Sequence, residues 1–124
     1  MSSSYNIFIV DDDDSVRRSL ARLLRAEGLN ALVFSSADEF LQTIPPETSG
    51  CLILDVRMPG MNGFELQDKL LAARSPLRVI FISAVHNSTD REQALQKGAL
   101  GFLNKPFSDE ELITLVHGSF RSEA

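Results

Sequence analysis

Ile7-Phe8-Ile9-Val10 runs without a break into Asp11-Asp12-Asp13-Asp14, four apolar residues followed by four acids. The apolar half is continuous and mostly β-branched, the mark of a strand buried on both faces, as the strands of a parallel sheet are. The acidic half needs a separate reason, because four adjacent carboxylates repel one another. Asp13 and Asp14 fit the start of a following helix, where acids complement the dipole. Asp11 and Asp12, at the mouth of the strand, do not need to be there for capping.

Working outward, strand-like and helix-like segments alternate. Residues 15–27 carry Val16, Leu20, Leu23 and Leu24 at helical spacing, and Gly28 stops the helix. Residues 31–34 form a short second strand. Ser36 with Glu39 reads as a capping box for a helix through Ile44, ended by Pro45-Pro46. Residues 51–54 are a third apolar strand running into Asp55, and the loop 56–62 contains Met58-Pro59-Gly60, strong turn chemistry. Asn62 with Glu65 caps a third helix to about Arg74, and Arg78–Ser83 is a fourth strand. A fourth helix spans 89–97 and stops at Gly98, 100–103 is a fifth strand, and Ser108 with Glu111 caps a last helix to about Gly118. Five strands alternating with five helices imply βαβ crossovers and a parallel sheet covered on both faces.

The chain has 124 residues, the length of one domain, so residues 1–124 are taken as a single unit. Hydrophobic residues make up 44% and charged residues 23%, a globular balance. No apolar run approaches the ~20 residues needed to cross a bilayer, and residues 1–6 lack the basic and apolar regions of a signal peptide. The single Cys51 excludes an internal disulfide and suits a reducing compartment, so the expected location is the cytoplasm. A net charge of −5, with no cluster of Lys and Arg, argues against direct binding of nucleic acid.

In an open α/β sheet, ligands bind beyond the carboxyl ends of the strands. Here those ends carry Asp11 and Asp12, Asp55, Ser83, and Lys105 after Asn104, so three carboxylates, a hydroxyl and an ammonium collect along one rim. Crowded carboxylates favour a hard divalent cation, and oxygen ligands suit Mg²⁺. A carboxylate can attack phosphorus to give an aspartyl phosphate, and a metal, Lys105 and Ser83 can stabilise charge on the transferring group. Asp55, alone on the central strand, is the better nucleophile, while Asp11 and Asp12 are better placed to share the metal. Each residue has a plainer reading by itself: Asp55 a turn, Ser83 a strand end, Lys105 a loop lysine. Their joint arrangement favours chemistry.

IVDD near the start, LDVRMPGMNG in the middle, ISA, and KPF near the end together resemble the receiver domain of two-component response regulators, and the resemblance covers residues 6–118. It implies a flavodoxin-like doubly wound sheet in the order 2-1-3-4-5 with five helices. It implies Asp55 as phospho-acceptor, Mg²⁺ held directly by Asp12 and Asp55, largely through water by Asp11, and by the backbone carbonyl of Arg57. Ser83 would turn toward the phosphoryl group and Lys105 would pair with one of its oxygens across a cis Lys105–Pro106 bond. Phe102 occupies the switch-aromatic position and would turn inward into space left by Ser83, although a core aromatic is the plainer reading. The partner implied is a sensor histidine kinase. The face of the fourth helix, fifth strand and fifth helix would form a phosphorylation-dependent homodimer or contact an output domain.

The chain is thus expected to be a signalling switch that catalyses only its own phosphorylation and dephosphorylation. A haloacid-dehalogenase-like phosphatase also uses an aspartyl phosphate, but needs an acid where Arg57 stands. A pseudo-receiver without chemistry usually lacks parts of the acidic pocket, and a flavin site would rest on fold analogy alone. The wording VDDDDSVRRSL and GFLNKPF resembles regulators of the nitrogen-fixation type, which bind DNA only through a C-terminal helix-turn-helix of the LuxR class. Arg57 and Val85 flank the pocket where they could gate water. His86 and His117 read as surface residues, and Cys51 as a small core hydrophobe.

Overall fold

A computed structural model describes residues 6–120. The ends of the expected single unit, and most of the segment inspected for a signal peptide, lie outside the described residues. The elements follow the expected order: β1 (Ile7–Val10), α1 (Asp14–Ala26), β2 (Leu32–Phe34), α2 (Ala37–Thr43), β3 (Cys51–Asp55), α3 (Gly63–Ala72), β4 (Arg78–Ser83), α4 (Ser88–Gln96), β5 (Gly101–Asn104) and α5 (Asp109–Phe120). The strands form one sheet in the order β2-β1-β3-β4-β5, every pair parallel. The chain has the flavodoxin-like, doubly wound fold.

Alternation along each strand splits the core in two. Phe8, Val10, Leu52, Leu54, Val79 and Phe81 pack with α2, α3 and α4 on one face. Ile7, Ile9, Cys51, Ile53, Ile80 and Ile82 pack with Leu20 and Leu24 of α1 and Leu112 and Val116 of α5 on the other. Both faces being covered is why β1, β3 and β4 read as unbroken apolar runs. No helix among the described residues is long and apolar enough to cross a membrane.

Helix starts are set by side chains. Asp13 caps α1, its carboxylate accepting from the amides of Ser15 and Val16, and Asp14 in the first turn pairs with Arg17 and Arg18. Asn62 and Glu65 complete a reciprocal capping box, as do Ser108 and Glu111. The box expected at α2 is half formed. Ser36 accepts from the Glu39 amide, but the Glu39 carboxylate reaches past it to the Ser35 amide at 2.8 Å. α4 starts one residue earlier than its apolar pattern suggests because Asn87 caps it. β5 begins one residue later and extends to Asn104, which pairs with Ser83.

α3 enters the sheet so closely that its first residue has no room for a side chain. A Cβ on Gly63 would lie 2.4 Å from the carbonyl oxygen of Asp55, and the Gly63 amide donates to Val56 O at 2.9 Å. Gly63→Ala is therefore expected to lower unfolding stability by about 1–3 kcal/mol, the range for overpacking a tight site. Gly118→Ala, which meets nothing within 4 Å, should cost nothing. Denaturant unfolding of the two variants side by side checks this, and equal stabilities would show that the α3 entry is not tight.

Candidate functional site

Register brings the acids together. Val10 of β1 is the partner of Leu54 of β3, so the next residues, Asp11 and Asp55, leave the sheet side by side. Ser83 ends β4 opposite Asn104, and the Lys105 amide donates to Ser83 O at 2.8 Å. Residues from four strands thus meet at one carboxyl edge. Carboxylate oxygens of Asp11, Asp12 and Asp55 lie within 4.8 Å of one another. Asp11 is fully buried, Asp55 nearly so, and Asp12 faces solvent.

The three carboxylates are unequally satisfied. Asp11 Oδ1 accepts from the Asp13 amide at 2.8 Å, whereas its Oδ2 is buried without a hydrogen bond and has the Lys105 ammonium at 3.6 Å. A buried, unsatisfied carboxylate oxygen inside an oxygen-only donor cluster is what a small hard cation would complete, so the acidic pocket could bind a metal.

The remaining expected residues are differently placed. Lys105 is half-buried, and the Lys105–Pro106 peptide is cis. The Ser83 hydroxyl is engaged with the next loop, donating to Val85 O and accepting from Val85 N, both at 3.1 Å. Phe102 is already inside, 2% exposed, with its ring 6.0 Å from that of Phe81. The Arg57 side chain pairs with Asp90 of α4 at 2.6 Å. Val85 is exposed, as are His86 and His117, the latter edge-on to Phe120. Cys51 is fully buried, and burial pushes its thiol up to about 11, so it stays protonated.

Two residues escaped sequence reasoning. Asn104 donates to Val85 O at 2.9 Å, sharing that carbonyl with Ser83 and holding the β4–α4 loop. Asp90 is the counter-ion of Arg57. The Asn87–Asp90 spacing was a readable cap signal, but nothing local tells which way the Asp90 carboxylate points.

Burial pushes the Asp55 carboxyl up to about 7; the Asp11 charge adds to this, Lys105 opposes it, Asp12 adds, and the Arg57 amide opposes it. Asp11 is also raised, again chiefly by burial, against the pull of the Asp13 amide and Lys105. Both shifts mean that the folded state holds these protons more tightly than the unfolded chain. Asp55 therefore contributes stability that is complete below its ordinary value of 3.8 and is lost as pH rises through about 7. In metal-free protein the melting temperature should fall between about pH 5 and about pH 8. Asp55→Asn should gain on the order of 1–3 kcal/mol at the upper end, because its neutral amide has no charge to desolvate. Unfolding in a chelator across that pH range measures both, and an Asn variant weaker than wild type at high pH would contradict the assignment of strain.

Comparison with known proteins identifies the family. Residues 7–117 match the response regulator receiver domain. The chain is 42% identical over 110 residues to Nodulation protein W of Bradyrhizobium diazoefficiens, which covers 89% of the chain but 48% of that protein. It is 39% identical over 124 residues to the transcriptional regulatory protein FixJ of Azorhizobium caulinodans, covering 100% of the chain and 59% of the relative. Among solved structures it resembles a receiver protein from Burkholderia phymatum, with TM-score 0.82, 42% identity and 98% of both chains covered. It also resembles FixJ-N, with TM-score 0.89, 32% identity, 99% of this chain and 98% of that one covered. The chain spans between about half and three-fifths of the curated relatives it matches. With the whole sheet and every element of the acidic edge inside the matched span, this chain belongs to the family of response regulator receiver domains.

Proposed function

We propose that this receiver domain is a switch set by transfer of a phosphoryl group to Asp55. The observation that carries the reading is the convergence of Asp11, Asp12 and Asp55 within 4.8 Å, with the Lys105 ammonium beside them. A carboxylate oxygen of Asp55 attacks the phosphorus of a phosphohistidine on a sensor kinase. The P–N bond breaks, and its electron pair leaves with the imidazole. Asp12 and Asp55, with the Arg57 carbonyl and, through water, Asp11, would hold Mg²⁺. When bound, that ion supplies positive charge that offsets the crowded carboxylates and the phosphoryl oxygens.

Lys105 stands 3.6 Å from its buried partner, longer than a hydrogen bond, and is free to favour a phosphoryl oxygen. Ser83 must give up Val85 O to do the same, while Asn104 keeps its hold on that carbonyl. Phe102, packed inward, would be fixed there by this movement of Ser83. Val85 and Arg57, at positions flanking the pocket, would regulate access of water to the acyl phosphate.

Residues 1–124 act as one domain in this reading, in the cytoplasm, catalysing only their own phosphorylation and its hydrolysis. Output runs through the face of α4, β5 and α5, as a homodimer formed on phosphorylation. A cleft of about 620 Å³ lies there, lined by Arg91, Leu95, Phe102, Leu103 and Leu115 among others. Because longer relatives are named transcriptional regulatory proteins, DNA would be reached through a separate C-terminal domain.

Incubation with acetyl phosphate and Mg²⁺ should add one phosphate per chain by intact mass. Asp55→Asn and excess chelator should each abolish the gain, and Lys105→Ala should slow it by roughly tenfold or more. Undiminished labelling of the Asn variant, or steady turnover of phosphate esters, overturns the reading.

A further inference from the structure

Arg57 belongs to the acceptor loop, two residues after Asp55, yet its guanidinium is committed elsewhere. Its Nη2 lies 2.6 Å from Oδ2 of Asp90, 33 residues away in the first turn of α4. The Arg57 side chain is 53% exposed and that of Asp90 only 12%. One partner can swing through solvent; the other is a carboxylate with little access to water.

α4 is held to the domain mainly by such polar contacts. Its buried residues are Asp90 and Ala94, whereas α1 buries Leu20 and Leu24, and α5 buries Leu112 and Val116. Besides Asp90, α4 is tied by Gln67 Nε2 donating to Ala94 O at 3.2 Å and by Lys97 Nζ to Asp68 Oδ1 at 2.7 Å. Arg91, next to Asp90, donates from Nη1 to Phe102 O of β5 at 2.8 Å. Apolar burial acts over a wide area and does not depend on one contact, but a helix held by individual polar tethers moves when one is withdrawn.

We propose that the Arg57–Asp90 ion pair is an exchangeable tether: Arg57 leaves Asp90 for the phosphoryl oxygens on Asp55, and the exchange releases the first turn of α4. This rests on Asp55 being the phospho-acceptor. A phosphoryl group brings about 1.5–2 negative charges and oxygens suited to a two-pronged guanidinium contact, against the single charge and single contact at Asp90. Once Arg57 departs, Asp90 is a nearly buried carboxylate without its counter-ion, and it must turn toward water. That motion carries Arg91 with it and loads the bond to the Phe102 carbonyl, so the event at Asp55 reaches β5 through the backbone of α4.

The test uses beryllofluoride with Mg²⁺ as a phosphoryl mimic, read by backbone amide NMR of residues 88–96 and by titration. In Asp90→Asn without the mimic, these amides should move part-way toward their positions in mimic-bound wild type. With no tether left to break, the variant should bind the mimic about 3- to 10-fold more tightly. Arg57→Ala should move the same amides without the gain in affinity, because the exchanged contact is gone too. Asp68→Asn breaks a different tether of α4 and should do neither. Amides unmoved in Asp90→Asn, with affinity within about twofold of wild type, overturn the tether; so does an equal effect from Asp68→Asn. Wild type that binds no mimic overturns the reading of Asp55 itself, and the tether with it.

Discussion

Carboxylates held within 4.8 Å of one another repel by about 3 kcal/mol per pair at an effective dielectric of ~20, and more where burial lowers it. The domain tolerates this because the strands that end in Asp11 and Asp55 are fully buried and locked in register, so the acids cannot spread apart without unpairing the sheet. The strain adds to burial, the larger cause, in raising the pKa of Asp55 and of Asp11. It is relieved in part by the Asp13 amide and the Lys105 ammonium, leaving Asp11 Oδ2 unsatisfied. A site of this kind attracts cations and, through Lys105, can accept additional anionic oxygens. Both properties come from the same crowding.

The same constraint explains the closeness of the surrounding chain. Gly63 lets α3 begin against the Asp55 carbonyl, so the acceptor strand is buttressed from its own loop as well as from its neighbours. The β4–α4 loop is fastened twice at one carbonyl, by Ser83 and by Asn104. Only Ser83 has a role in the proposed chemistry, so diverting it weakens the loop's attachment without freeing it. A switch needs this intermediate condition, since a loop held once would wander and a loop held by an uninvolved group would not respond.

Much of this was legible in the sequence for identifiable reasons. Ile7–Val10 and Cys51–Asp55 are buried on both faces, so composition alone marked them as central strands, and the acids at their ends had to share an edge once the sheet was parallel. Asn62–Glu65 and Ser108–Glu111 placed two helix starts because a capping box is a local hydrogen-bond pattern. Ser36–Glu39 has the same pattern, yet the Glu39 carboxylate chose the Ser35 amide, one residue away, a competition that sequence does not resolve. The partner of Arg57 was not legible at all. It lies 33 residues on, and it depends on how α4 is turned about its axis.

That rotation is held more weakly than those of α1 and α5, and for a physical reason. Fully burying a Leu stabilises a helix in place by about 1.5–3 kcal/mol, and α1 and α5 each bury two large aliphatic side chains. α4 buries an alanine and an aspartate, and leaves Leu95 39% exposed. Its orientation is therefore selected by Arg57, Gln67, Asp68 and the Phe102 carbonyl, contacts each worth about 1 kcal/mol or a little more when charged. The small apolar burial of α4 is the property that lets a single change of charge near Asp55 compete for its position. A helix with a stronger apolar stripe would be harder to move.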